Sequence, residues 1–239
     1  MKINATVNSI GGISNPDFSL EDSAYTAAIS ALGFNGAPLG SLIQPDGKLI
    51  VFGTFTSYGG DSSNKYLIRF NENGTVDTSF RSNMGTGFNG SVYGCTLLPS
   101  GHIIAITNIA TTLNGVTTNG SSKIATSGSP DLTFTAVFGN SLPDIVGSDS
   151  AGNIYYAGQY SMDLYNGTFC NKIFRTDSNG VIDTAYNSAT AWTSGTIDVR
   201  EGNFAFQADG KLLLSGIGAY GIPNNGLLRV NVDGSRDVS

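Results

Sequence analysis

Four times along this chain an apolar strand is launched from a glycine turn. The stretches are QPDGKLIVFG (Gln44–Gly53), PSGHIIAIT (Pro99–Thr107), SAGNIYYAG (Ser150–Gly158) and QADGKLLLSG (Gln207–Gly216). Their turn glycines, Gly47, Gly101, Gly152 and Gly210, stand 54, 51 and 58 residues apart. Asp46-Gly47 reads as the centre of a two-residue type I′ hairpin, whose central residues both need φ > 0. The run Leu49-Ile50-Val51-Phe52 does not alternate, so it reads as an inner strand covered on both faces.

A second set of turn glycines, Gly74, Gly128, Gly180 and Gly234, recurs at 54, 52 and 54 residues. Five residues before each stands a base: Arg69, Lys123, Arg175, Arg229. Three residues after each stands an acid: Asp77, Asp131, Asp183, Asp237; an aromatic closes the first three units, at Phe80, Phe134 and Tyr186. All eight glycines are predicted to take φ > 0, where a Cβ is disfavoured. In a two-residue hairpin Arg69 would face Thr78, leaving Asp77 one step away and reachable only through a bulge or twist. The other partner open to the base is the neighbouring repeat.

Four strands per unit at this period predict propeller blades rather than a helical solenoid. A four-stranded sheet cannot bury both its apolar faces alone, so neighbouring units must stack. The expected fold is all-β and β-propeller-like, with about four four-stranded repeats at 33–86, 87–138, 139–190 and 191–239. Residues 1–32 are expected to add a strand and one short helix over about 20–31, opened by Ser19-Leu20-Glu21-Asp22. The last repeat reaches Asp237-Val238-Ser239, one residue short of the closing aromatic. Residues 3–18, carrying Asp17-Phe18, are therefore expected to add a strand beside the last blade and close the sheet edge.

The pattern GFNG…QPDGKLIVFGTF…LIRFNENGTVDTSF, Gly33 to Phe80, resembles the delta-60 repeat, a β-propeller-like family. The likeness extends over about 33–239. The second repeat departs from it with Ser100 and His102, the third with Asn153. The resemblance implies bacterial surface proteins or phage tail and fibre proteins, and no enzyme activity. It also implies six or seven blades for a closed propeller.

Composition narrows the function classes. A net charge of −6 with only 12 Lys and Arg, none clustered, argues against a nucleic-acid partner. Cys95, Cys170 and the single His102 show no metal-type spacing, and no cofactor is expected; both thiols read as free and buried. No apolar run approaches ~18 residues, so no membrane insertion is expected. The N-terminal MKINATVNSI lacks an apolar signal core, although the surface, rich in Ser, Thr, Asn and Gly, suits an extracellular setting.

Candidate chemistry is sparse. Seven acids (Asp17, Asp46, Asp77, Asp131, Asp183, Asp209, Asp237) belong to the repeat pattern. Outside it, Asp144, Asp163, Asp198 and Glu201 could supply the acid pair of a propeller glycosidase. A Ser/His/Asp triad would need His102, which occupies a turn position instead. The aromatics Tyr58, Tyr160, Tyr165, Trp192 and Tyr220 lie in or near the variable loops and could stack on sugar rings or pack on blade edges. Those loops follow the second strands, at Thr56–Asn64, Ile109–Ser121, Tyr160–Thr168 and Ile217–Asn225. The function this supports is a non-enzymatic structural or binding module of a phage virion, in its tail or host-adsorption apparatus. Its partners would be other virion proteins or a host surface glycan, with homo-oligomerisation open. The alternatives are a fragment of a bacterial surface adhesin and a propeller glycosidase.

Overall fold

A computed structural model describes residues 33–139, 141–158, 164–193, 197–198, 203–219 and 226–238. The expected N-terminal strand and helix, and the closure built on residues 3–18, lie outside the described residues. The eight repeat turns are built alike. Gln44 N–H donates to Lys48 O at 2.8 Å and Gly47 N–H donates to Gln44 O at 2.9 Å. Gly47 has φ +76°, whereas Asp46 is not among the residues with positive φ. The connection is thus a three-residue loop ending in a glycine bulge, not the two-residue type I′ turn the sequence suggested. Pro45 explains the choice, because its fixed φ suits the first central position of a type I turn. The same pair of backbone bonds closes the turns at Gly74, Gly101, Gly128, Gly152, Gly180, Gly210 and Gly234, all with positive φ.

In the first repeat β1 (Pro38–Ile43), β2 (Leu49–Gly53) and β3 (Leu67–Phe70) form an antiparallel sheet in that order. The fourth strand expected after the second turn shrinks to one bridge, Phe70 with Val76. The chain then leaves the sheet because the Asp77 carboxylate accepts the Phe80 N–H at 3.0 Å and caps α1 (Thr78–Asn83). The second repeat carries β4 (Val92–Leu97), β5 (Ile103–Thr107), a small hairpin β6 (Thr112–Leu113) with β7 (Val116–Thr117), and β8 (Ser121–Ile124); its sheet runs β4-β5-β8. The third carries β9 (Ile145–Ser148), β10 (Ile154–Ala157) and β11 (Ile173–Thr176), then α2 (Thr184–Ala189) capped by Asp183. In the fourth, β14 (Leu212–Ala219) lies between β15 (Gly226–Val230) and the pair β12 (Ile197–Asp198) and β13 (Phe204–Phe206).

The core lies between sheets, as stacked blades require. Ile50, Phe52 and Leu67 of the first repeat pack with Val92, Cys95, Ile103 and Ile124 of the second. Ile104 and Ile106 meet Val146, Ile154, Tyr156 and Phe174 of the third. Tyr155, Ala157 and Ile173 meet Leu212, Leu214, Leu228 and Val230 of the fourth. Alternate residues of each inner strand therefore face opposite neighbours, which is why these strands carry no polar face. Consecutive sheets touch through the strands that precede their first turns, β1 to β4, β4 to β9 and β9 to β13.

Candidate functional site

The glycine bulge places Asp77 directly opposite Arg69, with Asp77 N–H donating to Arg69 O at 2.8 Å. The Arg69 guanidinium donates to the Asp77 carboxylate at 2.9 and 3.1 Å, and Lys48 Nζ reaches the same oxygen at 3.0 Å. Burial raises the Asp77 carboxyl, but the Phe80 amide, Lys48 and Arg69 more than offset it and hold it at about 2. The base also crosses to the next repeat. Arg69 donates to Thr126 O at 2.5 Å, Lys123 to Ser178 O at 2.9 Å and Arg175 to Val232 O at 3.0 Å. Both partners left open by the sequence are thus used at once. The guanidiniums further lie 4.1 Å from the Phe80 ring centroid and 4.3 Å from that of Tyr186. These ionic groups bind repeat to repeat and are spent structurally.

The second repeat breaks the pattern. Asp131 accepts from the Thr133 N–H at 3.0 Å and its hydroxyl at 2.6 Å, an Asx turn rather than a helix cap. The β-branched Thr133, Thr135 and Val137 that follow suit extended chain, and no helix forms there. Where α1 and α2 stand in other repeats, a cleft of about 210 Å³ opens between β7, β8 and residues 130–137. Thr117, Asn119, Ser122 and Thr135 line it, and Val116, Leu132 and Val137 are exposed at it. The Ser122 hydroxyl is buried without a hydrogen-bond partner. Lys123 and Asp131 pair in the cleft at 3.4 Å; the Thr133 hydroxyl, against burial, holds Asp131 below the usual carboxylate range. Asp131 is therefore a fixed anion there and not a proton donor at neutral pH. Such a lining offers hydroxyls and an apolar lip to a neutral polar ligand. Among the described residues no group of three or more His, Cys, Asp or Glu could hold a metal ion.

The predicted site residues do not form one surface. Tyr165 is fully buried, its ring packed with Phe138, Tyr156 and Phe174, and its hydroxyl donates to Gly180 O at 2.9 Å. It cannot stack on a sugar. Tyr58 is half-buried among Phe34 and Phe70, with centroids 4.9 and 5.0 Å away, so it too packs on the blade edge. Tyr160 and Tyr220 lie outside the described residues, and for Trp192 the backbone alone is described, in the 3₁₀ turn Thr190–Thr193. Of the glycosidase carboxylates, Asp144 stands exposed just before β9, Asp198 has a described backbone in β12, and Asp163 and Glu201 lie outside the described residues. His102 Nδ1 lies 3.0 Å from Ser100 Oγ, a contact within the first turn of the second repeat. Cys95 and Cys170 are free and buried, and burial pushes the Cys170 thiol up to about 12. Sequence reasoning missed the cleft, although the loop Ile109–Ser121 that it singled out supplies one wall.

Stacked antiparallel sheets, joined serially through the strands that precede their first turns, define a propeller-like repeat protein. Residues 44–80 and 207–239 match the family model described as a domain of unknown function (DUF5122) beta-propeller, which covers the turn and latch segments of the first and last repeats. No curated protein sequence matches the chain. Solved structures similar in fold include a gluconolactonase from Xanthomonas campestris, 15 % identical with a TM-score of 0.44, over 83 % of this chain and 57 % of that one. Regucalcin, a calcium-binding protein from Agrobacterium tumefaciens, is 12 % identical with a TM-score of 0.40, over 80 % and 59 % of the two chains. PorZ, a surface component of the Porphyromonas gingivalis type-IX secretion system, is 12 % identical with a TM-score of 0.46, over 78 % and 25 %. The chain thus spans under three fifths of the length of these structures.

Proposed function

We propose that this propeller-like chain is a non-enzymatic binding module, and that the cleft of its second repeat receives a host surface glycan for the tail or adsorption apparatus of a phage particle. One observation carries the reading. The bases and acids of the repeats are committed to latches and caps, while the one described break in the pattern opens onto hydroxyls and an apolar lip. Hydroxyl partners with apolar walls suit an uncharged polyol. The delta-60 likeness and the polar, weakly charged surface support the particle setting.

The test is binding of the full chain to isolated host surface polysaccharide, with Leu132→Asp and Val137→Asp variants whose circular dichroism is unchanged. Binding that falls at least ~10-fold, equivalent to about 1.4 kcal/mol, is the expected result. Equal binding by both variants would overturn the assignment of the cleft. Cleavage of the polysaccharide would overturn the non-enzymatic reading, and retention in a bacterial outer-surface fraction but not in purified particles would favour an adhesin.

A further inference from the structure

The cleft of the second repeat is closed at both ends by backbone. Asp131 N–H donates to Lys123 O at 2.8 Å beside the Ile124–Pro130 bridge, and Phe138 N–H donates to Asn119 O at 3.1 Å beside the Gly120–Val137 bridge. Pro130 has no N–H with which to continue the ladder. Residues 130–137 therefore leave the edge of β8 at one end and rejoin it at the other, and the cleft lies between that arch and the strand. An oligosaccharide cannot run lengthwise along β8 beneath the arch, so it enters by a chain end. The volume of about 210 Å³ lies below the ~300 Å³ at which pockets begin to hold drug-sized ligands, which leaves room for one sugar unit rather than several.

Among the described residues that line the cleft, Lys123 and Asp131 carry the charges, and they meet it unequally. The Lys123 side chain is 10 % exposed; its Nζ lies 3.4 Å from one Asp131 oxygen and donates to Ser178 O of the third repeat at 2.9 Å. The Asp131 side chain is 24 % exposed, and the Thr133 amide and hydroxyl hold its other oxygen in place. The carboxylate is thus the charge nearer the solvent, and the ammonium is already engaged on two sides. An acidic sugar entering this partly buried site meets a like charge with no unengaged cation to offset it, where repulsion is stronger than in open water. A sugar that carries only hydroxyls meets no such penalty.

We propose that the cleft holds one uncharged sugar unit at the end of a glycan chain, and that Asp131 is the residue that turns acidic sugars away. This inference rests on the reading of the cleft as a glycan site and adds to it the class of sugar and the residue that selects it.

The test displays oligosaccharides that end in a neutral hexose, each beside a counterpart whose end unit carries a carboxylate in place of the primary alcohol, and measures binding of the full chain. The expected result is a neutral-ended glycan bound at least ~10-fold more tightly than its acidic counterpart, with that ratio reduced to about 3-fold or less in Asp131→Asn and kept in Asp131→Glu. In solution, the methyl glycoside of the end sugar should compete nearly as well, mole for mole, as the whole oligosaccharide. A whole chain that competes ~10-fold better would mean that several units are held and would overturn the single-unit reading. Acidic ends bound as tightly as neutral ones by the unsubstituted chain, or an equal ratio in that chain and Asp131→Asn, would overturn the role of Asp131. Leu132→Asp separates the two levels of the argument. If binding survives that change, or no displayed glycan binds, the glycan reading of the cleft fails and takes this proposal with it. If binding is lost with Leu132→Asp while the ratio or the competition goes the wrong way, the glycan site stands and this proposal alone falls.

Discussion

Asp77 joins three tasks in one carboxylate: it caps α1, binds Arg69 and receives Lys48. Its side chain and that of Arg69 are only 7 % and 6 % exposed, so removing the acid leaves a buried guanidinium without its counter-charge. Asp77→Ala is expected to cost about 3–5 kcal/mol in urea unfolding. Asp183→Ala should cost less, because that carboxylate is 32 % exposed and water screens the pair. The pH dependence follows from the folded value of about 2 against the ordinary 3.8. Below 3.8 the unfolded chain takes up a proton that the folded chain refuses, so stability is full above about pH 4 and falls as pH drops toward 2. Thermal melts between these values should show a shallower decline for Asp77→Asn; an unaltered slope would remove Asp77 from the acid response.

At the level of turns and strands, much of the fold was legible. The period, the inner strands and the eight positive-φ glycines follow from residue spacing, since only glycine tolerates that bulge without strain. The register was not legible, because Asp-Gly serves both a two-residue and a three-residue hairpin. Nor were the short helices, since Asp77-Thr78-Ser79-Phe80 reads equally as a strand end until the cap hydrogen bond is seen. The cleft was hidden for a related reason: it arises from a helix that Asp131 fails to start, and its walls come from residues with no shared spacing. The tyrosines misled because Tyr58 and Tyr165 sit in loops that fold back onto the sheets. The junction glycines yield a comparison at this scale. Gly60→Ala has open space and should cost only the left-handed backbone penalty of ~1–2 kcal/mol. Gly128→Ala meets Phe80 backbone as well and should cost a further ~1–3 kcal/mol of overpacking. Equal melting temperatures for the two variants would show that the junction yields to an added methyl group at no cost.

Among the described residues the apolar clusters join each repeat to its neighbours, and the latches of Arg69, Lys123 and Arg175 each reach one repeat onward. Stability is then close to a sum of sheet and junction contributions, so damage at one junction should remain local. Arg175 tests this. Its guanidinium binds Asp183, donates to Val232 O of the fourth repeat and to the Tyr155 hydroxyl at 3.2 Å, and lies over Tyr186. Tyr155 and Tyr186 belong to the cluster that seats Leu212, Leu214, Leu228 and Val230. Arg175→Gln removes the charge while keeping a polar side chain, and so loosens the fourth repeat against the third. Native-state hydrogen exchange is expected to accelerate at Leu212–Leu214 and Leu228–Val230, while Ile50–Phe52, two junctions away, keep their protection. Local openings of this kind occur below the energy of global unfolding, which is why exchange rather than a single melting temperature is the measurement to use. Uniform acceleration in all four sheets would instead mean that the repeats unfold as one cooperative body, and that the latches bind the assembly globally rather than pair by pair.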